Sequence, residues 1–138
     1  MKVFVSYAFT GEDEAALTKR LSAIRHILNE IGADWYINIY DPKYQTMVDT
    51  YATDGDYVRV AMEELKTCDT VLVINTSERR SEGSLMETGA ALALGKRIVF
   101  AQHVTSSGKT YIPTLADGAF VWEDEGELLE KIQAALVR

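Results

Sequence analysis

The stretch VLVINTSERRSEGSLMETGAALALGKRIVFA, residues 71–101, decides the fold. It opens with Val71-Leu72-Val73-Ile74, an unbroken apolar run of the kind found in strands covered on both faces of a parallel sheet. Glu82 to Leu94 follows as a predicted helix, rich in alanine and glycine and so able to pack closely on a sheet, and Gly95 ends it. Ile98 to Ala101 is the next strand. A strand, a helix and a second strand at this spacing read as one crossover unit.

Working outward, the same alternation repeats. Toward the N-terminus, Val3 to Val5 form a short strand ending at Ser6-Tyr7. Leu17, Leu21, Ile24, Leu28 and Ile31 then recur at spacings of four and three, one stripe of a helix that Gly32 stops. Ala33 to Tyr40 alternates and carries Trp35, Tyr36, Ile37 and Ile39, which predicts a second strand closed by Asp41-Pro42. From there to Gly55 the chain is polar, aromatic and aperiodic, a loop longer than most and of the kind that carries function. Asp56 to Thr67 predicts a helix with Val60, Leu65 and either Ala61 or Met62 facing inward. Toward the C-terminus, an irregular segment from His103 to Gly118 leads to a strand at Ala119 to Trp122. A last helix from Glu125 buries Leu128, Leu129, Ile132, Ala135 and Leu136. The order implies parallel strands joined by crossovers. The expected fold is a three-layer, flavodoxin-like α/β domain over residues 1–138, with a five-stranded parallel sheet of order 2-1-3-4-5.

Composition sets the outer bounds. With 138 residues, 47% hydrophobic and 25% charged, the chain can bury a core without metal or disulfide staples. A net charge of −7 argues against nucleic acid as a partner, because that affinity comes from cations set against phosphates. It leaves room for a small anion held by backbone N–H groups. The apolar runs are too short for a membrane span, and the N-terminal one too short for a secretory signal, so the cytoplasm is the expected location. Cys68 has no cysteine partner and lies beside Asp69, which predicts a buried structural thiol. His26 and His103 lack partners at metal-ligand spacing, so neither a metal nor another cofactor is expected.

In a sheet of this order, ligands bind beyond the carboxyl ends of the strands at the switch point between strands one and three. That rule selects Ser6 to Gly11, then Tyr40 and Asp41, then Asn75 to Ser84. The last group offers hydroxyls, a glycine and the arginines Arg79 and Arg80 before a helix N-terminus, where an anion is favoured. A solvated loop with a helix cap is the plainer account of the same residues. Glu87 lies one turn into that helix, where the helix dipole is expected to keep it ionised, as suits a nucleophile. Its structural alternative is specific: Ser84-Leu85-Met86-Glu87 reads as a capping box in which Glu87 bonds back to the Ser84 N–H. Tyr44, Tyr51 and Tyr57 could stack on a planar ligand or pack down the long loop. Trp35 and Trp122 are expected in the core.

The pattern Ser81-x-Gly83-x-x-x-Glu87-x-Gly89-x-Ala91-x-Ala93-x-Gly95-Lys96-x-Ile98 resembles the nucleoside 2-deoxyribosyltransferase family, and within it the 2′-deoxynucleoside 5′-phosphate N-hydrolases most closely. The resemblance implies cleavage or transfer of a base–sugar bond, with Glu87 attacking the anomeric carbon. It also implies a nucleoside or nucleotide as substrate and a homo-oligomer, often with sites near subunit interfaces. Ser81, matching a phosphate-binding serine of the monophosphate hydrolases, favours a nucleotide. On this reading Ser81, Gly83 and Ser84 cradle the phosphate or sugar hydroxyls, and Ser6, Tyr7 and Phe9 line the turn beside the base. The family's sugar-contacting aspartate falls on Ala61, which leaves Glu63, Glu64, Asp54 and Asp56 as candidates for a second acid.

The N-terminal half is also similar to TIR domains: Val3-Phe4-Val5-Ser6-Tyr7 resembles their opening box, and Ser84-x-x-Glu87 the place of their glutamate. That likeness implies NAD cleavage or a signalling assembly. A third expectation is a non-catalytic binding module in which Glu87 only caps its helix.

Overall fold

The computed structural model describes residues 1–9, 11–79 and 81–137. Five parallel strands form one sheet in the order β2-β1-β3-β4-β5: β1 (Lys2–Tyr7), β2 (Asp34–Tyr36), β3 (Thr70–Ile74), β4 (Arg97–His103) and β5 (Gly118–Trp122). The flavodoxin-like topology expected from the alternation is the one observed.

Alternation along the strands builds two cores. Val3, Val5, Leu72, Ile74, Val99 and Ala101 point to one face, where they meet α1 (Glu14–Glu30) and α5 (Glu125–Leu136) through Leu17, Leu21, Ile24, Leu128 and Ile132. Phe4, Val71, Val73, Ile98 and Phe100 point to the other, against Leu65 of α3 (Asp54–Thr67) and Ala91 of α4 (Glu82–Ala93). Every residue of β3 is buried, which accounts for its unbroken apolar sequence. Trp122 and Cys68 are buried as expected, while Trp35 packs half-buried at the rim of the first core.

Two expectations need correcting. The second strand was expected over Ala33 to Tyr40, but β2 stops at Tyr36 and Asn38–Tyr40 forms a 3-10 turn. Asn38 breaks the strand because its carboxamide accepts from the next N–H, of Ile39, at 2.9 Å. The chain from Asp41 to Gly55, expected as one loop, contains the helix α2 (Pro42–Asp49) and the start of α3. Asp41 caps α2 by accepting from the Lys43 N–H at 3.0 Å, and Pro42 occupies the first helical position. Periodicity is silent there because α2 buries none of its side chains. Residues 54 and 55 join α3 through a capping box between Thr53 and Asp56.

Smaller differences fall at strand ends, where β4 runs on to His103 and β5 starts at Gly118. Among the described residues, no helix is long and apolar enough to cross a membrane. Because β3 is packed from both sides, Leu72→Ala is expected to lower unfolding stability by about 2–5 kcal/mol in urea denaturation. Leu85→Ala, on the exposed side of α4, should change it by less than about 0.5 kcal/mol.

Candidate functional site

The chain runs from β1 out to β2 at the sheet edge and returns to β3 on the far side of β1. The loops leaving β1 and β3 therefore diverge to opposite faces, and a crevice opens between their carboxyl ends. The cleft there has a volume of about 860 Å3. Tyr7, Ala8 and Phe9 form one side, and Ser77, Arg79, Ser81 and Gly83 another. Lys43, Tyr44 and Met47 of α2 face Asp54, Tyr57 and Ala61 of α3 across the rest. A shallower depression between Asp13, Lys19, His26 and Leu129 lies on the outer side of α1, away from the switch point.

Glu87 lies in the wall of the cleft. Its Oε1 accepts a hydrogen bond from Ser6 Oγ at 2.7 Å, and Ser6 Oγ is 3.1 Å from Ser84 Oγ. The capping-box arrangement expected of Ser84 and Glu87 does not occur. Ser81 is the N-cap of α4, accepting from the Ser84 N–H at 3.3 Å, so Ser84 stands at the third helical position and Glu87 a turn beyond. Thr88, on the buried side, bonds back to the Ser84 carbonyl.

The expectation that the helix dipole keeps Glu87 ionised also needs correcting. Burial pushes the Glu87 carboxyl up to about 7, and the Ser6 hydroxyl opposes that shift only in part. The dipole fades within the first turn, and Glu87 lies past it. Tyr7 and Tyr36 are raised well above the usual phenol range, first by burial and then by neighbouring charge that includes Glu87.

Glu87, Tyr7, Phe9, Ser81 and Gly83 all line the cleft, whereas Ser6 and Ser84 sit behind Glu87 without lining it. Phe9 is 57% exposed at the mouth. Tyr7 donates from its hydroxyl to Asn38 Oδ1, which ties the end of β1 to the turn after β2. Arg79 lies across Gly11, whose φ of +82° excludes most side chains, and a Cβ there would fall 1.5 Å from Arg79 Nη1. Glu12 accepts from the Thr76 hydroxyl, so the loops after β1 and β3 are joined over this end. Arg80 lies outside the described residues.

Of the residues left open for a second acid, only Asp54 lines the cleft. Asp56 is held by its capping box, Glu63 pairs with Lys66 at 3.0 Å, and Glu64 with Lys43 at 2.7 Å. Tyr44 and Tyr57 face each other at 6.0 Å on the cleft wall, while Tyr51 is 92% exposed and points elsewhere. Asn38, Lys43 and Met47 were not singled out from sequence; the Asp41-Pro42 helix start was the signal that could have brought in the latter two. Among the described residues, no group of three or more His, Cys, Asp or Glu is placed to hold a metal ion.

A parallel sheet with a carboxyl-bearing cleft at its switch point defines a class of small α/β proteins. The chain belongs to one family within it: the family model of nucleoside 2-deoxyribosyltransferases matches residues 6–130. No curated protein sequence matches. Among solved structures, a CMP N-glycosidase of Clostridium botulinum superposes with a TM-score of 0.72 at 18% identity, covering 98% of this chain and 99% of that one. A conserved protein of Enterococcus faecalis gives 0.64 at 18% identity, with 98% of each chain covered. A 2-deoxyribosyltransferase of Bacillus psychrosaccharolyticus gives 0.56 at 17%, covering 96% of this chain and 90% of that one. At these identities the likeness is one of fold.

The raised carboxyl has a thermodynamic signature. Its protonated form stabilises the fold fully below the ordinary value of 4.5, and that contribution is lost as pH rises through about 7. Glu87→Gln is therefore expected to stabilise the protein above neutrality by roughly 1–2 kcal/mol after allowance for solvent screening. The gain should disappear below pH 4.5 in paired thermal melts. A capping Glu87 would give a loss instead.

Proposed function

We propose that this protein cleaves, or transfers, the bond between base and sugar of a nucleoside or its 5′-monophosphate, with Glu87 as the nucleophile. The observation that carries this reading is the Glu87 carboxyl in the wall of the switch-point cleft, bonded to Ser6 rather than to its own helix. Family membership supports it, as does the fold shared with a CMP N-glycosidase and a 2-deoxyribosyltransferase.

In the first step a Glu87 oxygen bonds to the anomeric carbon as the carbon–nitrogen bond breaks. The base leaves with the bonding pair and takes a proton from solvent. The transition state carries positive charge on the sugar, which an adjacent carboxylate stabilises. In the second step water attacks the same carbon, the ester bond to Glu87 breaks, and a proton returns to solvent. A second base in place of water makes the reaction a transfer.

The remaining roles follow from chemistry along the walls. Tyr7, Phe9, Tyr44 and Tyr57 offer aromatic surface to a planar base. Ser81, Gly83 and the free N–H groups opening α4, with Arg79 lining the same cleft, suit a 5′-phosphate. Asp54 is our candidate for a sugar hydroxyl. We further propose a cytoplasmic location and, from the exposed Leu92 and Leu94 at the C-terminal end of α4, a homo-oligomer; a monomer by light scattering at micromolar concentration would reject the assembly.

The test is chromatographic release of free base from deoxynucleoside monophosphates, ribonucleoside monophosphates and the matching nucleosides, with nicotinamide release from NAD as the TIR-like competitor. Monophosphates are expected to outpace nucleosides, and Glu87→Ala to lower kcat/KM by roughly 1000-fold or more. Since attack needs the ionised carboxylate, kcat/KM should fall on the acid side of about pH 7. Absence of base release from every substrate would end this reading.

A further inference from the structure

Ser6 is a polar residue in an apolar row. Strand alternation puts it on the same face as Phe4, toward α3 and α4, among Val71, Val73, Ile98 and Phe100. It is 1% exposed and lies outside the cleft lining. A hydroxyl buried in such surroundings is costly unless hydrogen-bonded.

Its single proton goes to Glu87 Oε1, the shorter of its two contacts, so Ser84 Oγ is left as the donor in the 3.1 Å pair. Ser84 in turn is fixed by α4: Ser81 Oγ accepts its N–H, and its carbonyl accepts from Thr88 Oγ1 at 2.7 Å. Two hydroxyls therefore stand in series behind one carboxylate oxygen. Among the titratable groups, Tyr7 of β1 and Tyr36 of β2 feel the Glu87 charge, after burial and other neighbours. The charged groups on the walls are Glu12, Asp41, Lys43, Asp54, Arg79 and Glu82. Among the described residues, Ser6 is the one side chain that donates to Glu87.

We propose that Ser6, backed by Ser84, is a positioning residue: it fixes Oε1 of Glu87 from behind, presents Oε2 to the cleft as the attacking oxygen, and favours the ionised carboxylate. The kinetic half of this inference rests on Glu87 being the nucleophile. The electrostatic half does not.

The two halves are separable by experiment. Carbon-13 NMR of the glutamate carboxyls in the full chain gives the Glu87 titration directly, and the pH profile of base release is measured beside it. Ser6→Ala should move the Glu87 midpoint up by about one pH unit, since a donor to the charged form has been removed, and Ser84→Ala should move it less, in the same direction. In Ser6→Ala, kcat should fall roughly tenfold while KM holds, and the acid limb should move with the NMR midpoint. Should Ser6→Ala not fold, Ser6→Cys, near in size and a weaker donor, takes its place. An unmoved midpoint in a natively folded variant overturns the proposal. So does a raised KM at constant kcat, which would make Ser6 a ligand-binding group. If no substrate releases base, the nucleophile reading falls while the NMR titration still decides whether Ser6 holds the carboxylate ionised.

Discussion

Burial of β3 on both faces is the constraint from which the rest descends. A strand whose every residue is covered needs helices above and below it. The pairing of β3 with β1 on one side and β4 on the other then leaves β2 and β5 as the edges. The divergence of the loops after β1 and β3 follows from that order, and with it the opening that Glu87 faces. No special device is needed to make the cleft; a parallel sheet wound in both directions from its middle leaves one.

That origin explains which features could be read from the chain. The long apolar run at Val71–Ile74, the stripe of Leu17, Leu21, Ile24 and Leu28, and the glycines after the helices all report the core, and the core is what sequence periodicity encodes. Glu87 was legible through its place after β3 and its family pattern. The features that escaped lie where burial is slight. α2 buries no side chain and so has no stripe, and the end of β2 is decided by one carboxamide, that of Asn38, bonding to the next N–H. The Ser84–Glu87 spacing fitted a capping box, yet Ser81 takes the cap and moves the helix start three residues earlier than that box required. Local spacing could not reveal a bond that crosses from β1 to α4.

The Glu87 carboxyl is under opposed influences. The cleft wall withdraws it from water, which favours the neutral acid, and one buried hydroxyl favours the anion. A group balanced near neutrality can exist in either form at modest cost, and that balance is the one the proposed nucleophilic role would use. The charged side chains around it are engaged elsewhere or stand at the rim: Lys43 with Glu64, Asp41 on the α2 cap, Arg79 over Gly11.

α2 supplies Lys43, Tyr44 and Met47 to the cleft while contributing nothing to either core. Beyond its cap, its residues can therefore be exchanged without disturbing either core, at the small cost of exposed contacts such as Lys43–Glu64. In descendants of this chain, the lining of the cleft could drift along that one short wall while Glu87 and its bond to Ser6 stayed as they are. The shape of the cleft and the stability of the fold are in this respect encoded by different residues, and mutation can alter the first without passing through loss of the second.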